Sequence, residues 1–298
     1  RRDKVKMTWQ IGLLASAGAL LMTTNRFVFN LTYINGHMLL AMMLLVGVGL
    51  VWLGVVEGEH RFFYVSSLAF AAAAITRAES LIVVALFLIP FLSTQQLALR
   101  DRLVVTMPVS ILAFTWFGVV LPPHAREAGL SLSHLIGNVA IAALLAVFAS
   151  IAGVRGLRRF VPLVPWLAVA GTLLILAIYV QSDPSLFLTS VNAMAANAAF
   201  WGFWGFFWFI VPTLLIAAIL SSNVDEDHLW TFGLSGFFLF IPVAGYLRGS
   251  AFRIGGGDSA NRMLLHIVPM VILFILVAAG RATTQAEAQG DDDATESV

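Results

Sequence analysis

Three arginines, a glycine triplet and a histidine fall within residues 248–270, RGSAFRIGGGDSANRMLLHIVPM, where a polar loop runs into an apolar stretch. Gly255, Gly256 and Gly257 allow backbone conformations closed to other residues, so the loop holding Arg248 and Arg253 can fold tightly against a bound group. Asp258 or Ser259 is placed to cap a helix whose first turn contains Arg262. Free N–H groups at such a helix end favour an anion, and a guanidinium beside them offers a planar fork to phosphate oxygens. At helical spacing His266 shares a face with Arg262. The pattern points to a site for a phosphorylated ligand at a membrane boundary. The competing reading is that Arg262 snorkels to the bilayer surface while His266 satisfies a neighbouring helix.

A second interruption, Thr76-Arg77-Ala78-Glu79-Ser80, separates the apolar runs 62–75 and 81–93. Two charges in such surroundings are costly unless they sit at a membrane face, pair with each other, or line a polar cavity. Glu79 is therefore either part of a site or one half of an ion pair at a helical turn. Asp225, Glu226 and Asp227 have no second ligand cluster to complete a cation site and read as a solvated loop. With no cysteine, the chain has no disulfide, thiolate nucleophile or cysteine-ligated metal, and nothing in the sequence calls for a metal or other cofactor.

The elements that must position these residues are transmembrane. Of the 298 residues 60% are hydrophobic and 11% charged, against roughly 25% charged in a soluble domain. The net charge is +1 and the basic residues form no continuous patch, so no nucleic-acid partner is expected. Apolar runs at about 8–24, 38–56, 62–75, 81–93, 103–121, 135–154, 163–180, from 199 onward, 229–247 and 263–279 predict an all-α polytopic transmembrane bundle of about ten spans. Asp183-Pro184 starts a weakly apolar helix over 184–198, suited to an external juxtamembrane position. Trp201, Trp204 and Trp208 fall on one helical stripe, readable as an aromatic belt or as a groove for an isoprenoid tail. Residues 1–280 form one transmembrane domain, and 281–298 read as a disordered acidic tail. Over ten alternating spans, eleven basic residues fall on the N-terminal side and six on the other, which places both termini in the cytoplasm, as in a prokaryotic plasma membrane. Arg77, Glu79, Asp183 and the 248–262 loop then share the external face.

Thr76-Arg77-Ala78-Glu79 is similar to the T-R-P-E signature of polytopic glycosyltransferases of the GT-C superfamily, which includes the dolichyl-phosphate-mannose protein mannosyltransferases. Ser259-Ala260-Asn261-Arg262, followed by Leu264-Leu265-His266-Ile267-Val268-Pro269, resembles the opening of a late transmembrane helix in many such enzymes. The resemblance covers about residues 38–280. It implies transfer of a sugar from a polyprenyl-phosphate donor to a protein, glycan or lipid acceptor at the external face. With the residues read from the 248–270 stretch, the candidate substrate-binding set is Arg262, Arg77, His266, Asn261 and Arg253, and the resemblance implies that Arg262 and Arg77 hold the donor phosphate and Glu79 positions or pairs with Arg77. The family carries its catalytic acid or base as a carboxylate in the first external loop, and residues 25–37 contain none. The chain is therefore expected to be the C-terminal portion of a longer enzyme, or to use Glu79, Asp183 or Asp258 in that role. Two other readings stand beside it. A lipid-linked glycan polymerase or ligase would carry a large external loop between late helices, and 181–198 is modest. A transporter or flippase would carry paired broken helices, and only the 76–80 break is present.

Overall fold

In the computed structural model the described residues are 12, 14–21, 24, 36–95, 97–125, 131–154, 156–221, 224–247, 250–255 and 259–296. Regular structure among them is helical throughout, in line with the all-α expectation. In chain order the helices are α1 (Gly36–Glu57), α2 (Arg61–Ala74), α3 (Ser80–Leu92), α4 (Leu99–Thr115), α5 (Leu132–Ile151), α6 (Val164–Ser182), α7 (Pro184–Ala196), α8 (Phe207–Leu220), α9 (Val224–Leu247), α10 (Ser259–Leu264) and α11 (Val268–Glu296).

The expectation of about ten spans is corrected. Among the described residues six helices are long and apolar enough to cross a membrane: Gly36–Glu57, Leu99–Val120, Leu132–Ile151, Arg158–Ser182, His228–Gly245 and Ser259–Ala282. The helices α2, α3 and α8 are apolar but only 14, 13 and 14 residues long. At 1.5 Å per residue each rises about 20 Å, short of the roughly 30 Å hydrocarbon core. Counting every apolar run as a crossing overlooked this deficit. The charge count that placed both termini in the cytoplasm assumed ten crossings and loses its footing with them. Most of the first expected span lies outside the described residues.

The short helix α3 occupies the centre. Nearly all its side chains are buried, from Ser80 and Leu81 through Phe87 and Phe91 to Leu92. It packs against α2, α5 and α9, and α2 in turn packs against α1 and α4. Gly233 of α9 makes the α3 contact possible: a β-carbon there would lie 2.3 Å from Cδ1 of Phe87. Helix α11 lies against α1 and α8. In the span Ser259–Ala282, which α10 and α11 form together, 67% of the apolar window is buried, against 11% in the span Arg158–Ser182 that ends with α6 and presents Leu167, Leu173 and Leu174 outward. In a bilayer such a face meets lipid. Since α1 runs away from Gly36, α2 returns, and α3 begins again at Ser80, the start of α1 and the α2–α3 turn meet at one end of the bundle. A β-carbon on Gly36 would sit 3.4 Å from Cγ of Arg77 and 3.5 Å from the carbonyl oxygen of Thr76.

Helix α11 continues through Glu296. One further expectation changes. The tryptophan stripe is broken, because residues 197–201 form a π-helical turn and Phe203 has φ of 62° before α8 starts. Trp204 consequently turns into the core while Trp201 faces outward.

Candidate functional site

A cavity of about 630 Å³ opens at the end of the bundle where α1 starts and α2 turns into α3. That volume lies within the range typical of small-ligand sites. Its polar wall is made by His37, Arg77, Glu79, Ser133, His134, Asn138, Ser259 and Arg262, and its apolar wall by Ile82, Ile141, Phe240, Ala244, Phe252 and Met263. Both sequence interruptions thus border one space, although they lie far apart along the chain.

The turn 75–79 is built to present its charges. Thr76 Oγ1 donates to the carbonyl of Ala73 at 2.8 Å and lies 3.0 Å from Ser80 Oγ, tying the end of α2 to the start of α3. Arg77 Nε donates to Glu79 Oε1 at 2.6 Å. Glu79 is thus ion-paired and also lines the cavity. Asn138 of α5 donates through Nδ2 to the carbonyl of Ala78 at 3.0 Å, and its buried Oδ1 has no hydrogen-bond partner. Helix α5 starts at the cavity through a capping box in which Ser131 and His134 exchange bonds.

The second half of the site comes from residues 252–266. Arg262 borders the cavity, and its buried Nε has no hydrogen-bond partner. Arg262 lies in the six-residue helix α10, and its guanidinium is the charged group this segment brings to the cavity. Residues 265–267 leave α-helical geometry, with His266 N–H bonding to the Met263 carbonyl at 2.9 Å. His266 is fully buried, and its Nε2 lies 2.8 Å from Nδ1 of His37. The two rings are 20° from coplanar with centroids 5.0 Å apart, so they face each other nearly nitrogen to nitrogen. His37, Glu79 and His266 bring one donor atom each to within 4.8 Å of one another.

Other expected residues take different parts. Asn261 is fully buried and does not line the cavity; its Oδ1 accepts from Trp204 Nε1 and its Nδ2 donates to the Gly202 carbonyl at 3.3 Å. Arg253 is exposed and does not line the cavity. Its carbonyl accepts from Asn197 Nδ2 at 2.8 Å. Asp183 caps α7, its Oδ1 accepting from the Leu186 N–H and from Ser185 Oγ, each at 2.9 Å. It likewise does not line the cavity. Asp258, Gly256, Gly257 and Arg248 lie outside the described residues.

Sequence reasoning missed His37 and Asn197. His37 closes the polar loop 25–37, but a single histidine at a helix start carries no periodic signal. Asn197 holds both ends of a short loop, donating to the Arg253 carbonyl and accepting from Gly255 N–H at 2.7 Å. Its polarity in an otherwise apolar stretch was the only sign available.

Among the described lining residues two guanidiniums stand against one carboxylate, a surplus of positive charge whose field the low-dielectric walls concentrate. The arrangement suits an anionic head group with apolar surface attached. Compared with protein-family models, curated proteins and solved structures, the chain matches none.

Proposed function

We propose that this protein is a GT-C-like membrane glycosyltransferase, or the C-terminal part of one, whose cavity holds the phosphate of a polyprenyl-phosphate-linked sugar. The acceptor, a protein, glycan or lipid, would approach from the external face. The observation that supports this reading is that Arg77 and Arg262, the arginines of the two family-like motifs, border one 630 Å³ cavity. As the sugar leaves, negative charge accumulates on the donor phosphate, and fixed guanidiniums there lower the barrier by stabilising that charge. Glu79 keeps Arg77 oriented through the 2.6 Å bond. The apolar wall of Phe240, Phe252 and Met263 suits the first isoprene units.

The test is sugar transfer from a radiolabelled polyprenyl-phosphate donor in membranes containing wild-type chain or Arg262→Ala. Transfer is lost in the variant while the protein still inserts at normal abundance. Normal turnover in Arg262→Ala would remove the phosphate-binding role.

A further inference from the structure

We infer that His37, Glu79 and His266 form a binding site for a borderline divalent cation of the Zn²⁺ class, with its open coordination position facing the cavity. Three donors meet here from three separate elements: the first turn of α1, the α2–α3 turn and the 265–267 turn. Two imidazoles with one carboxylate is a set that suits such ions, and three protein ligands plus one exchangeable position is the pattern of a reactive rather than a sealed site.

The geometry is close to what an ion needs. With ligand bonds of 2.0–2.2 Å, tetrahedral donors stand about 3.3 Å apart. The two ring nitrogens stand 2.8 Å apart, and all three donors lie within 4.8 Å. Entry of an ion requires the rings to separate by about half an ångström and tilt toward a common point, with the carboxylate drawn inward. The hydrogen shared between the facing nitrogens then moves to an outer ring nitrogen, so no proton leaves the pair. His266 Nδ1 is buried without a hydrogen-bond partner, so nothing on that side fixes the ring in its present tautomer. Arg77 orients the Glu79 carboxylate, as supporting partners orient metal ligands. The cation adds to the positive charge of Arg77 and Arg262, so its open position favours an anionic ligand.

The experiment uses the whole chain, carried on a tag without histidine, stripped with chelator and dialysed against Zn²⁺. Metal is read by inductively coupled plasma mass spectrometry. Wild type retains about one ion per chain. His37→Gln and His266→Gln each weaken binding by more than the roughly 10- to 100-fold that loss of a supporting partner costs. His228→Gln, whose ring bonds instead to Thr94 and to the Pro90 carbonyl, retains the ion. Electron paramagnetic resonance of Cu²⁺ bound to wild type, showing two imidazole nitrogens, supports the site even where a variant misfolds. Substoichiometric metal in wild type, unchanged metal in both histidine variants, or a Cu²⁺ spectrum lacking two nitrogens overturns it and leaves a hydrogen-bonded imidazole pair. Metal content is read without donor or acceptor, so this result is independent of the transferase reading.

Discussion

Arg262 keeps a buried Nε without a partner beside a cavity already bordered by Arg77. A charged donor left unpaired in such a place is costly, and a phosphate oxygen that accepts from it gains a charge-assisted hydrogen bond of about 1.5–3 kcal/mol. Arg262→Gln should therefore weaken binding of a polyprenyl phosphate roughly 10- to 150-fold, measured by equilibrium titration in nanodiscs. Asp183 gives the opposite expectation. As a helix cap its replacement by Ala should cost about 0.5–2 kcal/mol of stability in thermal unfolding. Ligand affinity should stay within experimental error of wild type, and a loss of affinity would return Asp183 to the site. At this scale the sequence was informative where a charge interrupted apolar surroundings, since Arg77, Glu79 and Arg262 must be accommodated by pairing or by a cavity. It was uninformative for Asn261, whose motif position suggested ligand contact. Its amide is instead satisfied by Trp204 and Gly202, partners that only the folded chain brings near.

Among the elements, the short helices α2 and α3 and the turn between them place Arg77 and Glu79, and Asn197 fixes the other wall. Its amide bonds at 2.8 and 2.7 Å hold residues 253–255 against the end of α7. Asn197→Ala leaves the Arg253 carbonyl and the Gly255 N–H without these partners and should destabilise the protein by about 1–3 kcal/mol. A fall in midpoint temperature should be accompanied by faster proteolysis near 252–255. Gly202 is constrained more severely, since a β-carbon would lie 2.3 Å from the Asn197 carbonyl oxygen and 2.6 Å from Asn261 Oδ1. Gly202→Ala should exceed Asn197→Ala in thermal destabilisation, because backbone must move to relieve the overlap. Element type was legible from the apolar runs, and the cap at Asp183-Pro184 was legible from local chemistry. Span number was not, because composition reports that a run is buried and does not distinguish burial in protein from contact with lipid. Helix α3 is apolar since it forms the protein core.

For the whole molecule, the helices converge so that residues 36–37, 76–80, 134–138 and 259–262 share one end of the bundle, while the opposite end holds His60 paired with Asp101 at 2.8 Å. With no native cysteine, single cysteines introduced one at a time give an unambiguous test of sidedness. Ser133→Cys and Ser259→Cys should react with an impermeant maleimide from the same side, and Glu59→Cys from the other. The membrane class was legible from composition alone, whereas convergence of the two charged interruptions was expected only through a ten-span alternation that the six long helices do not support. The cavity itself depends on packing among α1, α3, α5, α9 and α10, which no local pattern reveals. The most direct measurement of the central claim compares binding of a polyprenyl phosphate with that of the uncharged polyprenol of identical chain, in wild type and in the double variant Arg77→Gln/Arg262→Gln. The account predicts that wild type prefers the phosphate and that the double variant loses the preference while still binding the tail. Equal affinity of wild type for the two lipids, or a phosphate preference that survives loss of both arginines, would contradict it.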